Sequence, residues 1–272
     1  MAGSNTNPAA FDAFAADYDN TFTNSTLGQL LRARVWAKLA DYFPPGQHVL
    51  ELACGTGEDA VWLAHRGLRV TATDASAGMV RQTKAKAEAR ENIDVIQLSL
   101  QQITNYQLPF TNKFDGVISN FGGLNTINTW PQLAGSLSKI VKPGGVVLLV
   151  PMGPFCPWEI GWYLSHLKLK TAFRRFGEAS VNIGGTEIPV WYPSVRELRG
   201  AFAPWFAHVE TSSLGLWLPP SYLGHFVDRF PRLFTQLNAF ENATARLTGG
   251  WGDHYICVFK RISPQINTDK HR

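Results

Sequence analysis

The sequence is poor in the features that would assign it to several large classes. It has three cysteines, Cys54, Cys156 and Cys257, roughly a hundred residues apart and with no C-x-x-C pair. That spacing excludes a disulfide framework and a cysteine-based zinc site, and it fits free thiols in a reducing compartment. No metal centre is expected. No stretch approaches about 18 apolar residues free of charge, and the opening M-A-G-S-N-T-N-P lacks a basic start followed by an apolar run. Neither a membrane span nor a signal peptide is predicted, and the expected location is the cytoplasm. Lysine and arginine number 25 against 21 acids, for a net charge of +4. They form no dominant block, so the footprint of a nucleic-acid binder is missing.

What the chain does have is apolar content, 45% of 272 residues, enough to bury a large core. From Phe11 to Phe43 the pattern is helical, with Leu27, Leu31, Val35 and Leu39 on one face, and Pro44-Pro45-Gly46 ends it. Short apolar runs then alternate with helical stretches. Strands are predicted at 48–52, 69–73, 94–98, 114–119 and 146–150, and helices at 58–65, 76–89 and 131–141. That rhythm predicts an α/β fold, a doubly wound and mostly parallel sheet. After Pro151 it breaks. One aromatic-rich helix is predicted over 155–176, a hairpin over 179–191 with its turn at Gly184-Gly185, a helix over 194–202 and a strand over 208–213. Proline-broken helical material fills 219–247, and a last strand runs over 254–261. The domain reading is an N-terminal helical lid (1–46), a core (47–152 and 203–262), a cap inserted after the fifth strand (153–202) and a flexible tail (263–272).

The chemistry concentrates in V-L-E-L-A-C-G-T-G, Val49 to Gly57. A buried strand delivers the chain to a turn where Gly55 and Gly57 let the backbone approach a ligand, and a helix follows. Asp74 ends the next strand beside that turn, where it can accept both hydroxyls of an adenosine ribose. Such a turn also serves NAD, FAD and phosphates. Here, however, Ala60 takes the third glycine position of G-x-G-x-x-G. Glu51 at the strand end repels a pyrophosphate but favours an ammonium or a sulfonium. Cys54 reads as a small packing residue.

These motifs together resemble the class I S-adenosylmethionine-dependent methyltransferases of small molecules. V-L-E-L-A-C-G-T-G is similar to that family's first motif, with Ala53 where glycine is usual. T-A-T-D-A-S (71–76) resembles its ribose motif, F-D-G-V-I-S-N (114–120) its fourth strand, and L-S-K-I-V-K-P-G-G (137–145) the turn into its fifth. F-D-A-F-A-A-D-Y-D (11–19) looks like its N-terminal lid. The resemblance implies a seven-stranded Rossmann-like sheet, S-adenosylmethionine as cofactor and S-adenosylhomocysteine as product. It implies Glu51, Ala53, Cys54, Gly55 and Gly57 around the methionine part, with Tyr18 and Asn120 beside it. Asp74 falls on the ribose, and Ala75 and Met79 on the adenine. Where the family often carries an acid for the adenine amine, this chain has Ser99 and Leu100, with Gln101 as a further contact.

For the acceptor, Phe121 and Asn125 leave the fourth strand at the sheet edge, and Phe155, Trp158, Trp162 and Tyr163 are expected as aromatic walls. Phe121-Gly122-Gly123 replaces the Pro-Pro-aromatic clamp of enzymes that methylate DNA bases. The expected partner is therefore a small apolar or aromatic molecule. Tyr18 and His166 are the candidate bases, though methyl transfer can proceed without one. Contact of the 155–176 helix with an anionic membrane is the less favoured alternative to packing on the core, and oligomeric state is unassigned. A non-catalytic S-adenosylmethionine-binding regulator and an NAD(P)-dependent reductase are the alternative readings.

Overall fold

The computed structural model describes residues 8–110, 113–177, 179–183 and 185–263. Gly184 and most of the expected tail lie outside them. The elements in chain order begin with α1 (Pro8–Phe14), α2 (Thr26–Tyr42), β1 (His48–Leu52), α3 (Glu58–His65), β2 (Arg69–Asp74), α4 (Ala77–Ala87) and β3 (Ile93–Gln97). There follow α5 (Leu100–Thr104), β4 (Phe114–Ser119), α6 (Trp130–Ile140), β5 (Val141–Leu149), α7 (Pro157–Ser165) and α8 (Leu169–Ala172). The chain ends with β6 (Ala179–Ile183), β7 (Thr186–Val190), α9 (Val195–Phe202), β8 (Phe206–Leu214), α10 (His225–Arg229), α11 (Pro231–Thr248) and β9 (His254–Arg261).

Seven strands form one sheet in the order β3-β2-β1-β4-β5-β9-β8. The first five are parallel, and β9 runs antiparallel to both β5 and β8. This is the doubly wound sheet predicted from the alternating pattern. Helices on both faces bury most of the central strands, which is why these strands read as largely apolar runs. One core cluster joins α2 and α3 to the sheet through Leu31, Val35, Leu39 and Leu63. The other joins α6 and α9 to the opposite face through Leu133, Leu137, Leu198 and Phe202.

Two expectations change. The helix predicted over residues 11–43 is broken by a five-residue π-helical turn at Asp19–Thr23, after which Ser25 caps α2 by accepting from Gly28 N at 3.0 Å. The helix predicted over 155–176 is split into α7, α8 and a 3-10 turn, because Leu167 takes a left-handed φ of +57°. A continuous helix does not survive such a residue. The hairpin predicted over 179–191 forms as β6–β7, and α1 touches β6. No described helix is long and apolar enough to cross a membrane.

Candidate functional site

Strands β1, β2 and β4 end together, and a cavity of about 220 Å³ opens above their carboxyl ends. This is the crevice where open α/β sheets bind ligands. The turn after β1 forms its floor. Gly55 (φ +57°) lines the cavity, and a Cβ there would meet no protein atom within 4 Å, so the backbone itself is presented to the ligand space. Gly57 (φ +80°) caps α3, and a Cβ there would come within 2.5 Å of Thr83. Ala53 and Phe121 line the same cavity in left-handed conformations, φ +52° and +43°. Backbone strain is thus held at the cavity wall.

Asp74 accepts from Gly55 N and from Ser76 N, both at 2.9 Å, one on each carboxylate oxygen. Burial raises its pKa to about 6 against the lowering effect of these bonds. Each oxygen keeps a lone pair for a hydroxyl donor. Glu51, at the other side of the turn, is buried with Oε2 lacking any partner. Burial, reinforced by nearby Asp59, pushes its carboxyl well above the ordinary range. A buried acceptor with no donor is a place for a bound cation or N–H group.

The far wall is a hydrogen-bonded cluster. Asp59, at the start of α3, takes Arg32 Nη1 at 2.7 Å, Trp36 Nε1 at 2.7 Å and Asn120 Nδ2 at 2.8 Å. Asn120 Oδ1 in turn accepts from Phe121 N at 2.9 Å. The N-terminal segment closes over this end. Asp12 accepts from Ser76 Oγ and Gly78 N, while Asp19 pairs with Lys86 at 2.6 Å and accepts from Thr56 Oγ1. Tyr18 packs against Phe14 and Phe22, and burial raises its hydroxyl to about 12. It therefore stays protonated near neutrality.

Most of the sequence-predicted positions converge on this cavity. Tyr18, Glu51, Ala53, Cys54, Gly55, Asp74, Ala75, Met79, Leu100, Asn120 and Phe121 all line it. Gly57 lies behind it as the cap of α3. Cys54 is buried, its thiol pushed well up by that burial, and it packs near Thr83. Ser99 is not in the wall; its hydroxyl closes a capping box with Gln102 at the start of α5, and Leu98 and Gln101 line the cavity beside it.

Other positions lie elsewhere. Asn125 is fully buried and spends its amide on backbone, accepting from Met152 N at 2.9 Å and donating to the carbonyls of Met152 and Trp191. It joins the β4 loop, the end of β5 and the cap. His166 is exposed on α7's end, bonded to Trp162 O at 2.8 Å. Phe155, Trp158 and Trp162 line a separate open groove of about 690 Å³ with Leu216, Trp217 and Trp251. Tyr163 packs near Tyr222. Trp162 meets Phe226 of α10 and Trp158 meets Phe234 of α11, and a buried ionic anchor holds α7 in place. Glu159 binds Arg174 at 2.8 Å and Arg175 at 2.8 Å, and Arg175 binds Asp253 at 2.6 Å.

The walls over the cavity come instead from Phe11 in α1, from Met152 and from the hairpin residues Val181, Ile183 and Val190. Sequence reasoning missed these, along with Arg32 and Asp59. No histidine lines the cavity among the described residues. Nor do three or more His, Cys, Asp or Glu side chains among them gather as metal ligands.

Comparison with known proteins follows the same geometry. Residues 49–145 match a family described as methyltransferase domain. A demethylmenaquinone methyltransferase of Renibacterium salmoninarum is 35% identical over 153 residues, 54% of this chain and 61% of the relative. The chain spans less than two thirds of the length of the first curated relatives it matches. Among solved structures, a candidate S-adenosylmethionine dependent methyltransferase from Listeria monocytogenes superposes with a TM-score of 0.62 at 15% identity, covering 86% of this chain and all of that one. DhpI in complex with SAH gives 0.58 at 18% identity, covering 95% and 96%. At these identities the likeness is one of fold.

Proposed function

We propose that this chain, whose residues 49–145 match a family described as methyltransferase domain, is a class I, S-adenosylmethionine-dependent enzyme that transfers a methyl group to a small apolar or aromatic acceptor. One observation carries the reading: a single cavity holds a hydroxyl-reading carboxylate, Asp74, at one end and an unpartnered buried carboxylate oxygen, on Glu51, at the other. An adenosine joined to an amino-acid cation meets both demands. A dinucleotide does not, because its pyrophosphate would face Glu51, Glu58 and Asp59 across a poorly screened space.

In this reading Asp74 binds the ribose, Ala75, Met79 and Leu100 pack on the adenine, and Glu51 faces the amino group. The cofactor supplies an electrophilic methyl carbon on a sulfonium. The chain supplies placement and exclusion of water, and placement of this kind contributes about 7 to 11 kcal/mol. Phe11, Tyr18, Phe121, Met152, Val181 and Ile183 enclose the acceptor space in apolar surface. Tyr18, protonated up to about pH 12, donates a hydrogen bond and does not take a proton. The acceptor is then one that is already nucleophilic near neutrality, such as a free amine or an acidic enol or phenol. The curated relatives named for demethylmenaquinone support a small-molecule acceptor.

Calorimetric titration with S-adenosylhomocysteine and with NADPH tests the donor site. Binding of the first alone is expected; binding of NADPH alone would overturn the assignment. Release of S-adenosylhomocysteine over a panel of quinols, phenols and amines then tests transfer.

A further inference from the structure

The helices that follow β5 leave large apolar side chains in water, and none of these lines the cavity. Between α7 and the end of the following 3-10 turn, Leu167 is 90% exposed, Leu169 64%, and Phe173 and Phe176 about half. On α11, Leu233, Leu237, Phe240 and Leu247 return at helical spacing on one face, beside the buried row of Phe234, Glu241 and Ala245. Leu233, Phe240 and Leu247 of that face are exposed. Ring contacts tie these helices into one region: Trp162 meets Phe226, Trp158 meets Phe234, and Trp217 meets Phe240. The open groove of about 690 Å³ runs among them, with Trp162, Trp217 and the exposed Trp251 in its wall. Single exposed leucines need no explanation, but a joined set of this kind does.

The charge on the same segments is one-sided. Residues 157–176 and 225–248 hold seven lysines and arginines against three acids, and the rest of the chain is balanced, so the whole net charge of +4 falls here. The three acids are engaged. Glu159 is buried on Arg174 and Arg175, Glu241 is buried on the N–H groups of Leu216 and Trp217, and Asp228 accepts from Thr26. Lys168 and Lys170 alternate with Leu167 and Leu169, are exposed, and make no ion pair among the described residues. Side chains of this kind lay their stems on apolar surface and carry the charge to its polar layer. A second copy of the chain is a poor occupant, because a twofold contact would set Lys168, Lys170, Arg229 and Arg232 against like charges. An anionic bilayer suits both features: its acyl boundary takes the leucines and phenylalanines, and its headgroups take the cations and the tryptophans.

We infer that α7, α8, α10 and α11 form a peripheral docking surface for an anionic phospholipid bilayer, with Leu167 and Leu169 entering the headgroup layer and Lys168, Lys170, Arg229 and Arg232 on its phosphates. Such a contact lies on the membrane and does not span it, in keeping with the lack of a membrane-crossing helix among the described residues. It goes beyond the donor and acceptor reading and stands without it.

Flotation of the full chain with phosphatidylcholine vesicles, with and without phosphatidylserine and at low and high salt, tests the inference, and sedimentation reads the oligomeric state in parallel. Binding to the anionic vesicles is expected at low salt, at least about tenfold weaker on neutral vesicles and weaker again at high salt. Lys168→Glu/Lys170→Glu should weaken it about 10- to 100-fold, and Leu167→Gln/Leu169→Gln about tenfold, as orders of magnitude. All four side chains are exposed, so thermal melts should be unchanged. Leu247→Gln, at a position 87% exposed on α11, repeats the apolar test from a second helix and should weaken binding in the same direction. Absence of binding to anionic vesicles at low salt would overturn the inference. Unchanged binding in the lysine variant would also do so, as would unchanged binding in both leucine variants. A dimer that the leucine variants dissociate would assign the surface to a second copy instead.

Discussion

Asp74 offers a proton-linked prediction whose size follows from its surroundings. Burial raises this carboxyl from 3.8 to about 6 even though two backbone N–H groups bond it. A ribose held by the carboxylate needs the ionised form, since a protonated carboxyl loses acceptor capacity. Below about pH 6 binding must first expel a proton, so the Asp74 contribution to donor affinity should fall about tenfold between pH 7 and pH 5 and be nearly flat above pH 7. The same shift acts on the empty protein with the opposite preference. Because the folded chain binds this proton more tightly than the unfolded chain, Asp74 lowers stability as pH rises through the interval from about 4 to about 6. Two pK units correspond to roughly 3 kcal/mol as an order of magnitude. Titration of S-adenosylhomocysteine at both pH values, in buffers of different ionisation enthalpy, separates proton release from binding. Asp74→Asn should bind more weakly at pH 7 and lose most of the slope, any remainder belonging to Glu51. A wild-type affinity that is flat from pH 7 to pH 5 would refute the argument that Asp74 is the ribose ligand.

Three further expectations follow from other parts of the molecule. Asn125→Ala strips half-buried backbone groups of Met152 and Trp191 of their partners, which should cost about 1 to 3 kcal/mol in denaturant unfolding; a loss under about 0.5 kcal/mol would contradict the bridging role. Glu159→Ala leaves Arg174 without its carboxylate and Arg175 with Asp253 alone, so a loss of about 3 to 5 kcal/mol and faster proteolysis within residues 153–202 are expected, and unaltered cleavage would count against the anchor. Ala53→Gly relieves a left-handed alanine and should be neutral or stabilising, while Gly55→Ala should destabilise by about 1 to 2 kcal/mol; thermal melts with the reverse ranking would remove the strain argument.

The floor of the cavity was legible because its signals are local. The run V-L-E-L is a strand buried on both faces, and glycine follows where the backbone must turn left-handed, so β1 and its loop could be placed from nine residues. The hairpin over residues 179–191 was equally local. What could not be read were partnerships between distant segments. Arg32 stands one place beyond Leu31 on a helix whose other buried residues are aliphatic, and nothing nearby points to Asp59. Asn120 and Asn125 are the same residue type in one loop, yet one faces a carboxylate and the other two carbonyls. The break at Leu167 carries no glycine or proline to announce it. Without that break, the tryptophans of α7 would read as a wall of the cavity; the residues that line it there come from α1 and the hairpin.

The hairpin is built like a cantilever. Its base is clamped on both sides, by Arg175 on Asp253 before it and by Asn125 on Trp191 after it. Its span carries Val181, Ile183 and Val190 out over the cavity, and at Gly185 in its turn an added Cβ would meet no atom within 4 Å. Between the clamps the span also touches α1, whose Asp12 accepts from Ser76 Oγ and Gly78 N, so a push on the hairpin reaches the turn that follows Asp74. Rewriting the length or side chains between the clamps would thus reshape the mouth of the cavity and, through α1, press on the turn that carries Asp74.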